Sequence, residues 1–225
     1  VKQGGILSPY LFNVFINGLI EEVIGLSLGA KINGLNVSIV SYCDDIILLS
    51  PTRYQLEILV NKCFDYACKW KLEFNASKSV YLSDSDEEIE INNVRVQKVE
   101  GFIYLGLPLG SQRFIKEFVE NKFKKVEKCF YSLYNIGCKP YALNPNTIGF
   151  LYKQFCQSIF KYGLELFYLT KKELNLYNIR QNILIKHGIG LSKFVRTKPL
   201  FDALKVESID LIYHKHKLFF MKQVK

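Results

Sequence analysis

The stretch SYCDDIILLS, residues 41–50, places Asp44 and Asp45 side by side between two apolar, β-branched segments. Two adjacent like charges repel each other, and burial would add a desolvation cost. The pattern of VSIV, two aspartates and IILL favours a β-hairpin whose tip carries both carboxylates. Such a pair is either an exposed acidic turn, where Asp is a favoured residue, or the binding site of a cation. Mg²⁺ prefers oxygen ligands, and two carboxylates on a rigid hairpin suit it.

The residues before this hairpin indicate a buried helix and a second, smaller hairpin. Ser8 is expected to cap the helix PYLFNVFINGLIEEV, with Pro9 at its first position and its end near Gly25. Because this helix is apolar nearly all round, we expect it to be buried. Asn33-Gly34 is a typical two-residue hairpin turn and leads into the strand VSIV.

The residues after the hairpin alternate between helix and short strands as far as residue 110. Thr52 and Gln55 form a capping-box pattern, and the helix that follows has a single apolar face. Strands are predicted in KLEFNASKSVYLS, EINNVRVQKV and GFIYLGLPLG, with the acidic loop DSDEEIE between them. This mixture predicts an α+β, ferredoxin-like arrangement for residues 1–110. The helix's apolar face comprises Leu56, Leu59, Val60, Cys63, Phe64 and Ala67.

From Ser111 onward the hydrophobic period becomes helical, so residues 111–225 are predicted to form a second, all-helical domain. Pro140 and Pro145 interrupt the first helix, and a second covers roughly residues 146–168. Thr170 and Glu173 cap a third helix, which stops at Gly188. Two further helices are predicted near 199–206 and 208–222. The first helix presents one apolar face, made of Phe114, Ile115, Phe118, Val119, Phe123, Val126, Phe130 and Leu133.

The charge of the chain is unevenly distributed between these two regions. Residues 1–110 carry 9 Lys and Arg against 13 Asp and Glu, whereas residues 111–225 carry 21 against 8. A strongly basic, helical region suggests a polyanionic partner such as nucleic acid, and the alternative is an ordinary Lys-rich surface. No apolar run approaches the about 20 residues that a transmembrane helix needs. Lysines mostly off the apolar face of the first helix include Lys116, Lys124, Lys125 and Lys128.

The cysteines predict an intracellular protein with reduced thiols, in the nucleus, the cytoplasm or both. The chain has no Cys-x-x-Cys, and its 3 histidines are not at zinc-finger spacing. Because the sequence begins with Val, we expect a fragment of a longer protein. The six cysteines are Cys43, Cys63, Cys68, Cys129, Cys138 and Cys156.

Four segments in a fixed order give the sequence a family resemblance. They are KQGGILSPYLFNVFINGL, the Tyr-x-Asp-Asp of the hairpin, WKLEFNASKSVYL and FIYLGLPLG. In this order they resemble the reverse transcriptases of non-LTR (LINE-like) retrotransposons. The helical tail, with FCQSIFKYGLELF and IKHGIGLSKFVRTKPLFDALKVESI, is also similar to the region that follows the palm in these elements. A lone Tyr-x-Asp-Asp would be weak evidence, whereas four ordered motifs are specific.

The resemblance implies an RNA-directed DNA polymerase that transfers nucleotides to a primer 3′ end. The fold would be the C-terminal part of a polymerase palm over 1–110, followed by a basic helical thumb and post-palm region. The partners would be an RNA template, a DNA primer and dNTPs, with two Mg²⁺ ions, or Mn²⁺, and no membrane or small-molecule cofactor. Asp44 and Asp45 would be the catalytic metal ligands. Substrate-binding positions would be Gln3, Gly4, Gly5 and Lys78, and the primer grip would be Tyr104, Leu105 and Gly106.

The sequence also departs from the family pattern. Cys43 stands where Ala is common, and Lys2 replaces the more usual Arg. The family's first catalytic aspartate and its fingers precede the QGG segment, so we predict that this chain alone does not polymerise. A non-catalytic, nucleic-acid-binding remnant of a truncated retrotransposon is the alternative function. Group II intron maturases and viral RNA polymerases match less well. Each named glycine, lysine or tyrosine also has an ordinary structural explanation in a turn, on the surface or in the core.

Overall fold

The computed structural model describes residues 5–75, 77–84, 90–91 and 94–224. The chain divides into two compact units, Val1–Gly106 and Leu107–Lys225. The first unit mixes helices with short strands, and the second is almost entirely helical. A mixed α+β protein is therefore confirmed. None of the described helices is long and apolar enough to cross a membrane.

Helix α1 spans Ser8–Gly25 and has Pro9 in its first turn, but Ser8 does not cap it. The N-cap position belongs to Leu7, and no side chain caps the helix there. The reason is local, because the Ser8 amide donates to the Gly5 carbonyl at 3.1 Å. That turn places Ser8 inside the helix and the predicted cap is wrong by one residue.

Only one face of α1 is buried, so the expectation of all-round burial is wrong for this helix. Leu19 and Val23 are fully buried against helix α2 and strand β3, defined below. Tyr10 and Val14, in contrast, are each 70% exposed. A helix that packs on neighbours from one side buries only the stripe that faces them, whatever the composition of its other faces.

Two antiparallel hairpins follow α1, and both were predicted. Strands β1 (Lys31–Ile32) and β2 (Leu35–Asn36) flank Asn33-Gly34, whose φ angles are +49° and +81°. Positive φ at both central residues defines the type I′ turn for which Asn-Gly is the favoured pair. Strands β3 (Ile39–Tyr42) and β4 (Asp45–Leu48) form the second hairpin, with the aspartates at its tip.

Helix α2 spans Arg53–Trp70 and is capped by Thr52, whose side chain accepts from the Gln55 amide at 3.3 Å. The capping box is only half formed, because the Gln55 side chain accepts from the Gly29 amide at 3.0 Å instead. This bond ties α2 to the loop after α1. The buried face of α2 consists of Leu59, Cys63, Tyr66 and Ala67.

The remaining strands of the first unit are short and pair in twos. β5 (Val80–Tyr81) pairs in parallel with β8 (Gln97–Lys98), and β6 (Glu90–Ile91) pairs antiparallel with β7 (Val94–Arg95). β9 (Gly101–Tyr104) ends the unit. The strands are two to four residues long, and within the described ranges each sheet has two strands. Pairing is mostly local, so a continuous ferredoxin-like sheet is not observed there. Residues 85–89 of the predicted acidic loop lie outside the described residues.

The second unit begins with β10 (Leu107–Gly110) and continues as helices, which confirms the helical prediction. The helix predicted over 146–168 is instead two α-helical segments joined by a π-helical turn, Tyr152–Gln157. Short 3₁₀ turns occupy Leu133–Ile136 and Leu164–Leu166. The α-helices are α3 (Gln112–Ser132), α4 (Pro145–Leu151), α5 (Ser158–Lys161), α6 (Lys171–Ile189), α7 (Thr197–Leu204) and α8 (Ile209–Gln223).

One aromatic-rich core holds the second unit together. The predicted face of α3 lies in it, with Phe123 and Phe130 fully buried. The capping box of α6 is complete, because the Thr170 amide donates to the Glu173 carboxylate at 2.8 Å and the Glu173 amide donates to Thr170 Oγ1 at 3.3 Å. These bonds hold the pKa of Glu173 below its ordinary value, the Thr170 backbone amide contributing most. Helix α6 ends with Gly190 as its cap, two residues beyond the predicted stop.

An arginine clamp that the sequence did not indicate joins α3 to α6. The Arg180 guanidinium bonds Glu120 at 2.8 Å and Glu127 at 3.0 Å, and lies 4.5 Å from the Phe123 ring centroid. Glu127 binds in the two-pronged manner that suits a planar guanidinium, with Nε and Nη2 each donating to one oxygen, whereas both Glu120 oxygens accept from Nη1. These contacts neutralise Arg180 and stabilise the packing of α3 on α6, so Arg180 is not part of the basic surface.

Candidate functional site

The carboxylate pair lies at the tip of the β3–β4 hairpin, with Asp44 in the two-residue turn and Asp45 at the start of β4. Tyr42 pairs with Asp45 across the strands, so Cys43 and Asp44 alone form the turn. Cys43 has a φ of +52°, in the left-handed region that residues with a Cβ seldom adopt. Asp44 and Asp45 are both exposed. The hydrogen-bonded strands β3 and β4 therefore support a strained tip at which both carboxylates face solvent.

Two side chains fix the tip of this hairpin from within the first unit. Ser41 Oγ donates to the Cys43 carbonyl at 3.3 Å. Tyr104 Oη donates to the main-chain carbonyl of Asp45 at 3.2 Å. Partial burial and the nearby Asp45 carboxylate raise the pKa of Tyr104, so its hydroxyl remains a donor at neutral pH. The contact connects two predicted motifs that are 59 residues apart in sequence.

The Tyr104-Leu105-Gly106 segment turns sharply after this contact. Leu105 and Gly106 have φ angles of +49° and +78°. Gly tolerates that region at no steric cost, whereas Leu does not. Leu105 is therefore, like Cys43, a residue with a side chain that is held in the left-handed region beside the carboxylate hairpin.

The other predicted substrate-binding residues are only partly covered by the structure. Gln3 and Gly4, like Lys2, lie outside the described residues. Gly5 accepts the Ser8 amide in the turn before α1. Lys78 lies in a turn in which its amide donates to the Asn75 carbonyl at 3.1 Å. Within the described ranges, no hydrogen bond or ion pair joins the Lys78 side chain to the aspartates of the hairpin.

The hairpin supplies an incomplete set of metal ligands. Across the described part of the chain, no group of three or more His, Cys, Asp or Glu residues could hold a metal ion. Mg²⁺ takes six oxygen ligands in octahedral geometry. Asp44 and Asp45 thus fit a hard, largely hydrated cation whose other ligands are water, substrate phosphates or groups beyond the described residues.

The ionisable side chain of Lys122, in the second unit, is buried, which the sequence pattern did not predict. Lys122 is 7% exposed, and its ammonium donates to the Tyr162 carbonyl. Burial, partly offset by Glu165, lowers its pKa to about 8. Its spacing of four residues from Phe118, on the apolar face of α3, is the signal that sequence reasoning missed. The ammonium also lies 5.5 Å from the Phe167 ring centroid.

Comparison with known proteins defines the class of the first unit. Residues 1–109 match the family described as "Reverse transcriptase (RNA-dependent DNA polymerase)". The hairpin carboxylates and the Tyr104 contact all lie within that match. The first half of the chain is therefore a reverse transcriptase domain.

Two curated relatives specify the kind of reverse transcriptase. The chain is 35% identical over 78 residues to the "Retrovirus-related Pol polyprotein from type-2 retrotransposable element R2DM" of Drosophila melanogaster, covering 35% of this chain and 7% of that protein. It is 22% identical over 183 residues to the Pol polyprotein from type-1 retrotransposable element R1 of Nasonia vitripennis. That alignment covers 74% of this chain and 52% of the relative, so the chain spans at most about half of either protein. The predicted non-LTR retrotransposon relationship is confirmed.

Proposed function

We propose that the chain forms part of an RNA-directed DNA polymerase that extends a primer 3′ end on an RNA template. The supporting observation is the hairpin of Asp44 and Asp45, which lies inside the family match and receives a hydrogen bond from Tyr104. An exposed acidic turn with no function would not need a strained Cys43 and a buttress from a distant strand. The relatives that share this region are retrotransposon Pol proteins.

In this proposal the first unit is a palm fragment and Asp44 and Asp45 hold the divalent metal, Mg²⁺ or alternatively Mn²⁺. Such ions, when bound, activate the attacking oxygen and neutralise triphosphate charge. The exposed position of both carboxylates leaves room for the phosphates of a dNTP. Tyr104 acts as a positioning residue, because it bonds the backbone of Asp45 and leaves the carboxylate free to bind the ion.

The remaining roles follow the motif positions. We assign contacts with the incoming nucleotide to Gln3, Gly4, Gly5 and Lys78, and the primer grip to Tyr104, Leu105 and Gly106. Gly5 and Gly106 lack a side chain, which allows the backbone to approach a ligand closely. The exposed amine of Lys78 is suited to a phosphate as a point charge.

The second unit serves in this proposal as a thumb that holds the primer–template duplex. Lys124, Lys125 and Lys128 are exposed on α3, away from its buried face, whereas Lys116 approaches Glu173 at 3.8 Å. Exposed lysines at helical spacing are suited to the phosphates of a duplex and give a salt-dependent affinity without sequence preference.

Primer extension tests this function. The longest open reading frame that contains this chain should extend an annealed DNA primer on RNA with Mg²⁺ and dNTPs. Asp44→Asn should reduce extension to background, because it removes a carboxylate ligand without changing the size of the side chain. The matched control is Asp65→Asn, an exposed position on α2. Activity retained by Asp44→Asn would contradict the assignment, whereas extension by this chain alone would contradict the prediction that the chain needs further residues to polymerise. Binding without extension would indicate the non-catalytic alternative.

A further inference from the structure

Two long segments of the second unit contain no acidic residue. None occurs between Glu127 and Glu165, or between Glu173 and Asp202. Away from the ends of these segments, the basic residues therefore have no acidic neighbours in sequence to neutralise them. Two of them, Lys193 and Arg196, fall in the loop between α6 and α7, and Lys198 lies in the first turn of α7. A concentration of cations without acids is the electrostatic pattern expected of a surface that binds a polyanion.

The structure brings these two acid-free segments together through Tyr141. Its hydroxyl donates to the Gly190 carbonyl at 2.6 Å, and its ring covers the α-carbon of Gly190, where a Cβ would meet ring atoms at 2.5 Å. Tyr141 is nevertheless 85% exposed, so the other face of the ring is open to solvent. Its φ of +64° is a strained conformation for a residue with a side chain. The fold thus holds an aromatic ring outward in a fixed orientation.

A second contact between the same segments places more aromatic groups at this junction. Tyr134 Oη lies 3.1 Å from His187 Nδ1, and the two rings are nearly parallel. Tyr131 packs edge-on against His187, with ring centroids 6.1 Å apart. His187 is on the last turn of α6, so its ring is also an exposed group beside the Gly190 cap.

The loop after Gly190 adds a second outward aromatic ring between cations. Phe194 is 84% exposed, and the Lys193 ammonium lies 5.1 Å from its ring centroid. The loop is held in place from below, because the buried Lys186 ammonium donates to the Lys193 carbonyl at 3.1 Å. Phe194 is four positions after Gly190 in the chain, which limits the distance between their α-carbons to about 14 Å. We call Tyr141, Gly190 and residues 192–198 the Tyr141–Phe194 surface.

We propose that the Tyr141–Phe194 surface binds single-stranded nucleic acid, with unpaired bases stacked on the two rings. Lys193, Arg196 and Lys198 contact the phosphates between them. An exposed aromatic ring offers a flat face on which a base can stack, and every base has a face that can do so. In a duplex the base faces are already stacked, so a duplex gains the phosphate contacts only. The inference concerns binding alone and uses neither Asp44 nor Asp45.

Fluorescence anisotropy with labelled oligo(dT), oligo(U) and a blunt-ended DNA duplex tests this inference without metal or dNTPs. Phe194→Ala should weaken binding of the single strands by about five-fold or more, the loss expected for one stacked base. It should leave binding of the duplex within about two-fold. Phe194→Trp should restore single-strand affinity, because a larger ring still stacks. Comparison of oligo(dT) with oligo(U) shows whether the preferred strand is DNA or RNA.

The matched control is Tyr168→Ala, which removes an aromatic ring that is 80% exposed but lies outside both acid-free segments. It should leave all three affinities unchanged. Equal affinities of Phe194→Ala and wild type for single strands would overturn the proposal, as would equal losses for single strands and duplex. A loss of single-strand affinity in Tyr168→Ala of the same size would also overturn it, because the effect would not belong to this surface.

The salt dependence provides an independent measurement. The double variant Lys193→Gln, Arg196→Gln should reduce the slope of log affinity against log salt for single strands by about 1.4, since each lost phosphate contact contributes about 0.7. An unchanged slope would show that these cations do not contact the strand. Because no step requires polymerisation, failure of this inference is distinguishable from failure of the proposed enzymatic function.

Discussion

Replacing the buried Lys122 with Met should change how the stability of the protein depends on pH. Burial lowers the pKa of this lysine from the ordinary 10.5 to about 8. That difference corresponds to a cost of about 3 kcal/mol for the charged form at neutral pH. Between pH 8 and 10.5 the unfolded chain binds more protons at this position than the folded protein does. The stability contribution of Lys122 therefore rises with pH across this window and is least favourable below it.

The measurement is the free energy of unfolding in urea for wild type and Lys122→Met at about pH 7 and about pH 9.5. Wild type should gain about 2 kcal/mol relative to the variant between these two pH values. The difference in the free energy of unfolding between the two proteins at a single pH is not informative, because the variant also loses the hydrogen bond to the Tyr162 carbonyl. Folding also shifts the pKa of other groups, such as Cys63, whose pKa burial raises to about 12. These groups are present in both proteins, so their contributions to the difference in stability cancel.

The control for Lys122 is Lys128→Met, an exposed position on the same helix. Its free energy of unfolding should follow that of wild type at both pH values. A constant difference between wild type and Lys122→Met across the range would refute the reasoning, since it would show that the lysine is not desolvated in the folded protein.

Two further predictions concern the carboxylate hairpin. Cys43→Gly should raise the free energy of unfolding by about 1 kcal/mol, because Gly adopts the positive φ at this turn without strain; unchanged or lower stability in urea would contradict the strain. Tyr104→Phe should lower stability by only about 0.5 kcal/mol, since the Asp45 carbonyl it leaves is near solvent. It should also accelerate amide hydrogen exchange in the hairpin, and exchange at the wild-type rate would show that Tyr104 does not hold this tip.

The features that were predicted correctly are those that short-range chemistry determines. Asn33-Gly34 specifies its turn through the φ angles that these two residues tolerate. Thr170 and Glu173 satisfy each other's amides within one turn of helix. The apolar period of α3 predicts a buried stripe, and Phe123 and Phe130 lie in it. The carboxylate hairpin belongs to the same group, because its strands and turn are adjacent in sequence.

The features that were not predicted depend on partners distant in sequence. The Gln55 side chain has a local partner available in Thr52 but bonds Gly29 instead, 26 residues away. Lys122 resembles its solvated neighbours in the sequence, and beyond its four-residue spacing from Phe118 its burial depends on Tyr162, 40 residues away. The contact of Tyr104 with Asp45 joins two motifs that the sequence gives in order, without indicating that they touch. Periodicity also fails for α1, whose exposed side depends on which of its faces meets α2.

The division of charge between the two regions bears on how polymerisation and binding are related. Residues 1–110 carry a net charge of −4, and the Asp44–Asp45 pair is part of it. A polyanionic template or dNTP is repelled by this pair unless a cation neutralises it. Residues 111–225 carry a net +13 and need no such ion to attract nucleic acid. In the proposed function, binding by the helical unit and metal-dependent chemistry at the hairpin therefore depend on opposite charges. The proposed function therefore predicts that a substitution at Asp44 abolishes primer extension without weakening the attraction of the protein for nucleic acid.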